Sequence, residues 1–137
     1  MSAPDIAAAL AARLGIWADA ESIPVAWENV GFTPPASGVY LAAHDMPATP
    51  RTMDLGLQCR VFSGVYQINI VIPAGSGRSD AVALARQVAA LFPEGQEVQG
   101  DGFTSWITST PAIFRGIPTD VSYTVPVSLN YQAEITS

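Results

Sequence analysis

His44 is the only histidine in the chain, and Asp45 stands beside it, so a general base oriented by a carboxylate is the first chemistry to consider. Such a pair needs a serine or cysteine nucleophile, and no glycine, any, serine, any, glycine elbow occurs. The plain reading of His44 is structural. Cys59 is the only cysteine; it lacks the neighbours of a metal site and has no partner for an internal disulfide, so the fold must be held by packing. It falls on the apolar side of an alternating run, where a free cysteine acts as a small hydrophobe.

The AGSGRS turn at 74–79 could cradle an anion at a helix N-terminus. A nucleotide-binding loop would continue into glycine, lysine and serine or threonine, which this turn does not do. Gly75 and Gly77 then serve a tight strand-to-helix turn, and Arg78 is placed to reach a carboxylate on a neighbouring subunit. The carboxylates Asp45, Asp54, Asp80, Asp101 and Asp120 fall mostly in loops or at a helix start, with no spacing that forces two together for metal binding or acid–base work. Trp17, Trp27 and Trp106 are anchors for a core or an interface.

Charged residues make up only 13% of the 137 residues, against 49% hydrophobic. An average soluble domain carries roughly 25% charge. A surface so sparsely charged suggests burial against other subunits. The six cations are all arginine, at 13, 51, 60, 78, 86 and 115, scattered within a net charge of −6. Adhesion to nucleic acid needs clustered cations, so DNA is expected as a repelled neighbour and not as a ligand. No stretch has the pattern of an export signal or the roughly 18 apolar residues of a membrane span. The expectation is a protein made in the host cytoplasm, with no membrane and no cofactor.

The elements that must carry these residues follow from periodicity. Ser2 to Gly15 reads as a helix with Ile6, Leu10 and Leu14 on one stripe and Gly15 as its stop. Ile23 to Pro35 reads as a short strand leading into an ordered loop pinned by Trp27 and Phe32. Val39 to His44 reads as a strand, followed by a long mobile loop over 45–54. Leu55, Leu57, Cys59 and Val61 alternate with polar positions; Ser63-Gly64 reads as a turn; Tyr66, Ile68, Ile70 and Ile72 alternate again, so an antiparallel hairpin is expected. A second helix opens with Ser79 as cap and Asp80 in its first turn, shows Leu84, Val88 and Leu91 on one face with Ala81, Ala85 and Phe92, and ends at Pro93 and Gly95. After the glycine-rich turn near 101 come a strand over Phe103–Phe114 and a long one over Val121–Gln132, with Val121, Tyr123, Val125, Val127, Leu129 and Tyr131 inward. Pro126 in that strand calls for a sheet edge or a bulge. The fold class is α+β: one domain over 1–137, a mostly antiparallel sheet with two main helices packed on it.

The stretches PVAWENVGFTPP at 24–35 with Tyr40-Leu41, GVYQINIVIPAGSGR at 64–78 running into the helix that ends Ala90-Leu91-Phe92-Pro93, and the last strand from Tyr123 to Tyr131 give the chain its family likeness. In that order they resemble the tail-terminator-like proteins of siphophages, relatives of the lambda-type minor tail protein U. The resemblance implies a ring of identical subunits, hexameric in the family, that caps the head-proximal end of the tail tube. It implies that the ring stops tube growth, offers a surface to the head connector and lets DNA pass through its lumen without specific binding. No catalytic residue is implied. The candidate subunit or tube contacts are Asp45, Arg51, Asp54, Arg78 and Asp101, on the 45–54 loop, the 74–79 turn and the 99–102 turn. A head–tail joining component and, from a different class, a small anion-binding domain using the 74–79 turn are the alternatives.

Overall fold

The computed structural model describes residues 6–27, 31–32, 38–47, 51–52, 59–75, 79–100, 103–119 and 121–136, with residues 51, 52, 59, 60, 79, 135 and 136 described in the backbone only. The expected helix start at Ser2, the residues Leu55, Leu57, Gly77, Arg78, Asp54 and Asp120, and the turn at 101 lie outside that set.

The first helix, α1 (Ile6–Ala20), buries Ile6, Leu10, Leu14 and Ala18, four positions spaced so that they share one stripe. Gly15 does not stop it, contrary to the sequence expectation. The helix ends at Ala20, and Ser22 just beyond it is a non-glycine residue at φ 57°. There the Ile23 amide donates to the Ala18 carbonyl at 2.9 Å and the Ser22 amide to the Asp19 carbonyl at 3.2 Å. Those two bonds are the Schellman pair, with serine in the position glycine usually takes.

Next come β1 (Val25–Ala26), β2 (Tyr40–Pro47) and β3 (Arg51–Thr52), then β4 (Cys59–Pro73). The expected loop over 45–54 is therefore partly sheet: β2 runs to Pro47, and β3 pairs with β4 at Val61 and Arg60. The expected hairpin turn at Ser63-Gly64 does not exist, because β4 passes straight through it for 15 residues. From Phe62 to Ile72 the even-numbered apolar positions face the core, so Tyr66, Ile68, Ile70 and Ile72 are buried in the main cluster while Val61 and Val71 are buried outside it.

The second helix, α2 (Ser79–Ala90), turns Ala81, Ala85 and Val88 inward, and Phe92 follows them into the core. Asp80 sits in its first turn as expected, and Gly95 at φ 84° lets the chain reverse after it. The Arg13 side chain donates through Nε to the Leu91 carbonyl at 2.5 Å, tying α1 to the end of α2.

The remaining strands are β5 (Glu97–Gly100), β6 (Phe103–Ile107), β7 (Ala112–Ile113), β8 (Ile117–Pro118) and β9 (Ser122–Thr136). One mixed sheet runs in the order β1-β2-β4-β9-β6-β5, with β3 added to β4 and with β7 and β8 added to β9; only β1–β2 is parallel. β9 pairs with β4 from Thr136 opposite Cys59 to Ser122 opposite Pro73. Both helices contribute to one core with Leu41, Ile68, Ile70, Ile107, Val125, Val127 and Leu129. The fold class is thus α+β, as the sequence indicated. Two readings need correction. The strand expected over Phe103–Phe114 is broken after Ile107, and Val121, expected inward, is 79% exposed at the β8–β9 turn.

Pro126 lies in a central strand, which resolves as follows. Its carbonyl accepts from the Phe114 amide at 2.9 Å, so its nitrogen faces the same side, between β7 and β8. The missing N–H therefore falls where the neighbouring strand is itself interrupted.

Candidate assembly surface

His44 and Asp45 cannot act as a pair. Consecutive residues of a strand point to opposite faces, and His44 is exposed while Asp45 is half-buried on the core side of β2. Tyr131 lies on β9 directly opposite Gly64 of β4, and its hydroxyl crosses β4 to donate to the Asp45 carboxylate at 2.6 Å. Gly64 makes that crossing possible. A Cβ there would stand 2.5 Å from the Tyr131 hydroxyl oxygen and 2.7 Å from the Met46 carbonyl oxygen. Asp45 is accordingly a strand residue bonded within the sheet, not a solvated loop charge. Among the described residues no cluster of three histidine, cysteine, aspartate or glutamate side chains could hold a metal ion.

The feature the sequence did not reveal is the edge that runs from 111 to 119. It follows β6 antiparallel to β9, and β7 and β8 pair with β9 but, among the described residues, with no other strand. Phe114, Arg115 and Gly116 interrupt it. Gly116 tucks under Tyr123, where a Cβ would come 2.1 Å from the ring. The close fit draws the backbone inward at Gly116 and leaves Phe114 and Arg115 facing out. Ile113 is 39%, Phe114 54% and Ile117 56% exposed, and with Val121 they follow one another as a row along one margin of the sheet, with Ile113, opposite Val127, on the core face and Ile117, opposite Thr124, on the other.

That row is held firmly. Thr119 Oγ1 accepts from the Ser122 amide at 3.0 Å, and the Thr119 amide donates to the Ser122 carbonyl at 2.7 Å. The Ala74 amide binds the Val121 carbonyl, which joins the turn to the end of β4. An apolar, open and well-braced strand edge is a template for another chain unless something covers it.

Of the sequence-derived contacts, Asp45 is on β2 and Arg51 on β3, while Asp54, Arg78 and Asp101 lie outside the described residues. The structure brings the backbones of Asp45 and Arg51 to the same margin of β4, whose partners there are Tyr66 and Val61. The expectation of one strand over Phe103–Phe114 hides the exposed edge at 113–117. Pro111, Gly116 and Pro118 carried the contrary signal, since none suits the middle of a regular strand.

The family model for phage tail terminator proteins matches residues 5–131. The chain belongs to the phage tail terminator family. That makes it a structural protein of the phage tail, and its place the virion. A solved structure of a protein bearing only a sequence identifier is 39% identical to it, with a TM-score of 0.80 over 93% of this chain and 92% of that one. No protein of curated function matches. A terminator meets other tail or head components, and among the described residues the 113–117 edge carries three of the six exposed large hydrophobic side chains.

Proposed function

We propose that the protein forms a homo-oligomeric ring, a hexamer as the family resemblance implies, on the head-proximal end of a siphophage tail tube. The ring ends tube polymerisation and offers the head connector its docking surface. It acts by packing, not by chemistry. Membership of the terminator family supports this reading, and the single structural observation that carries it is the braced apolar edge of Ile113, Phe114 and Ile117 on a chain with only 13% charged residues. Subunits that meet through heterologous patches close into a ring when the rotation between them closes. A net charge of −6 around a lumen repels phosphate, so the genome slides through without being held.

Sedimentation mass measurements, alone and with purified tube protein, test the reading. A ring-sized species in either sample supports it. A chain that stays monomeric at high concentration in both overturns it.

A further inference from the structure

Helix α2 lies across β4 and β9 and touches β7 on one flank. Among the described residues its other flank borders a groove. There Asp80, Ala83, Leu84 and Gln87, one stripe of the helix, face Gly38 and Val39 before and at the start of β2 and Ile72 and Pro73 at the end of β4. They frame a groove of about 730 Å³. Its walls are apolar, and Asp80 is the one charge among the described residues that line it. The core stripe of the same helix, Ala81, Ala85 and Val88, is a different one; Leu84 and Val39 are only partly buried against the core, so each keeps some surface toward the groove.

The apolar row of the 113–117 edge lies beyond β9, on the β7 side of α2. One subunit therefore carries a strand edge with exposed Phe114 and Ile117 on one side of a helix and an apolar recess on the other. The charges match this arrangement. Arg115 is the only charged residue from 111 to 119, and it is exposed beside Phe114. Edge against edge would set Arg115 against Arg115, and groove against groove would set Asp80 against Asp80. Edge into groove sets Arg115 against Asp80.

We infer that the groove receives the 113–117 edge of a second copy of this chain, with Phe114 entering between Val39, Ile72 and Leu84 and Arg115 meeting Asp80. This deepens the ring reading and rests on it: the contact is head-to-tail, the type that repeats around a closed circle. Each subunit supplies half of every junction.

The test uses the full chain with Cys59 replaced by serine and single cysteines introduced as Leu84→Cys or Phe114→Cys. Under mild oxidation an equimolar mixture of the two should give a covalent dimer, each variant alone should stay uncoupled, and the chain carrying both should give a ladder ending at the ring. Charge reversal gives an independent readout. Arg115→Glu should weaken assembly at least about tenfold, and adding Asp80→Arg should recover most of it; each variant is first checked by circular dichroism, with Asp80→Asn in place of the reversal if α2 is lost. Rings that form with no bond between 84 and 114, or a Phe114→Cys chain that couples to itself as readily as to its counterpart, overturn the head-to-tail contact while leaving the ring. Absence of any oligomer, with or without tube protein, removes both.

Discussion

Gly64 shows how much one missing methyl group can decide. It is opposite Tyr131 in the β4–β9 register, and the tyrosine ring passes over it to reach Asp45 on the next strand. In sequence, Ser63-Gly64 between two alternating runs looks like a hairpin turn; the glycine is instead the slot through which a ring crosses the strand. Gly64→Ala is expected to destabilise the fold by about 1–3 kcal/mol, the usual range for forcing atoms into a packed site. Tyr131→Phe, which removes a hydroxyl donating to a carboxylate, is expected to cost about 1.5–3 kcal/mol. Because both changes act on one contact, the double variant should cost less than their sum, and urea denaturation of the four proteins measures the difference. Strict additivity would show that the glycine and the hydroxyl do not share a contact.

At the level of elements, what the sequence made legible follows from periodicity, and what it hid follows from contacts it cannot record. The stripe of Ile6, Leu10 and Leu14, Asp80 in the first turn of α2 and the alternation of β9 from Tyr123 on were each readable, because 3.6- and 2-residue repeats are written directly in residue type. The end of α1 was not. Gly15 reads as the stop, yet the helix runs on to Ala20 and is closed by a left-handed serine, Ser22, with the Ser22 and Ile23 amides bonded back to Asp19 and Ala18. Ser22→Gly should therefore stabilise the protein by about 0.5–1 kcal/mol, visible as a raised denaturation midpoint, since glycine adopts that backbone region without the steric cost. The hidden edge at 113–117 belongs to the same lesson: at its interruption Gly116 lies against the Tyr123 ring, a fit that residue type alone does not announce. Phe114→Glu should change stability by no more than about 0.5 kcal/mol, because the side chain is exposed, but should abolish self-association in sedimentation experiments. A Phe114→Glu protein that assembles normally would remove this edge from the interface.

At the scale of the whole molecule, the candidate site and the fold stood very differently in the sequence. The α+β architecture, a mostly antiparallel sheet with two main helices packed on it, was readable, and the low charge is what raises the expectation of burial by other subunits. The individual contacts were inferred from charge in presumed loops, and Asp45 turned out to be bonded within the sheet. Charges stand out in a sequence so poor in them, whereas an apolar residue at an edge looks like any core residue until the topology says which strand has no neighbour. The surface that best fits assembly is consequently apolar, with Arg115 as its single charge.

Polymerising the tail-tube protein in the presence of this chain, and imaging the products by electron microscopy, tests the central claim most directly. The account predicts tubes whose growth stops when the chain is added, each bearing extra ring-shaped density at one end only. Tubes that lengthen at the same rate and show bare ends at saturating concentrations of the chain would contradict it.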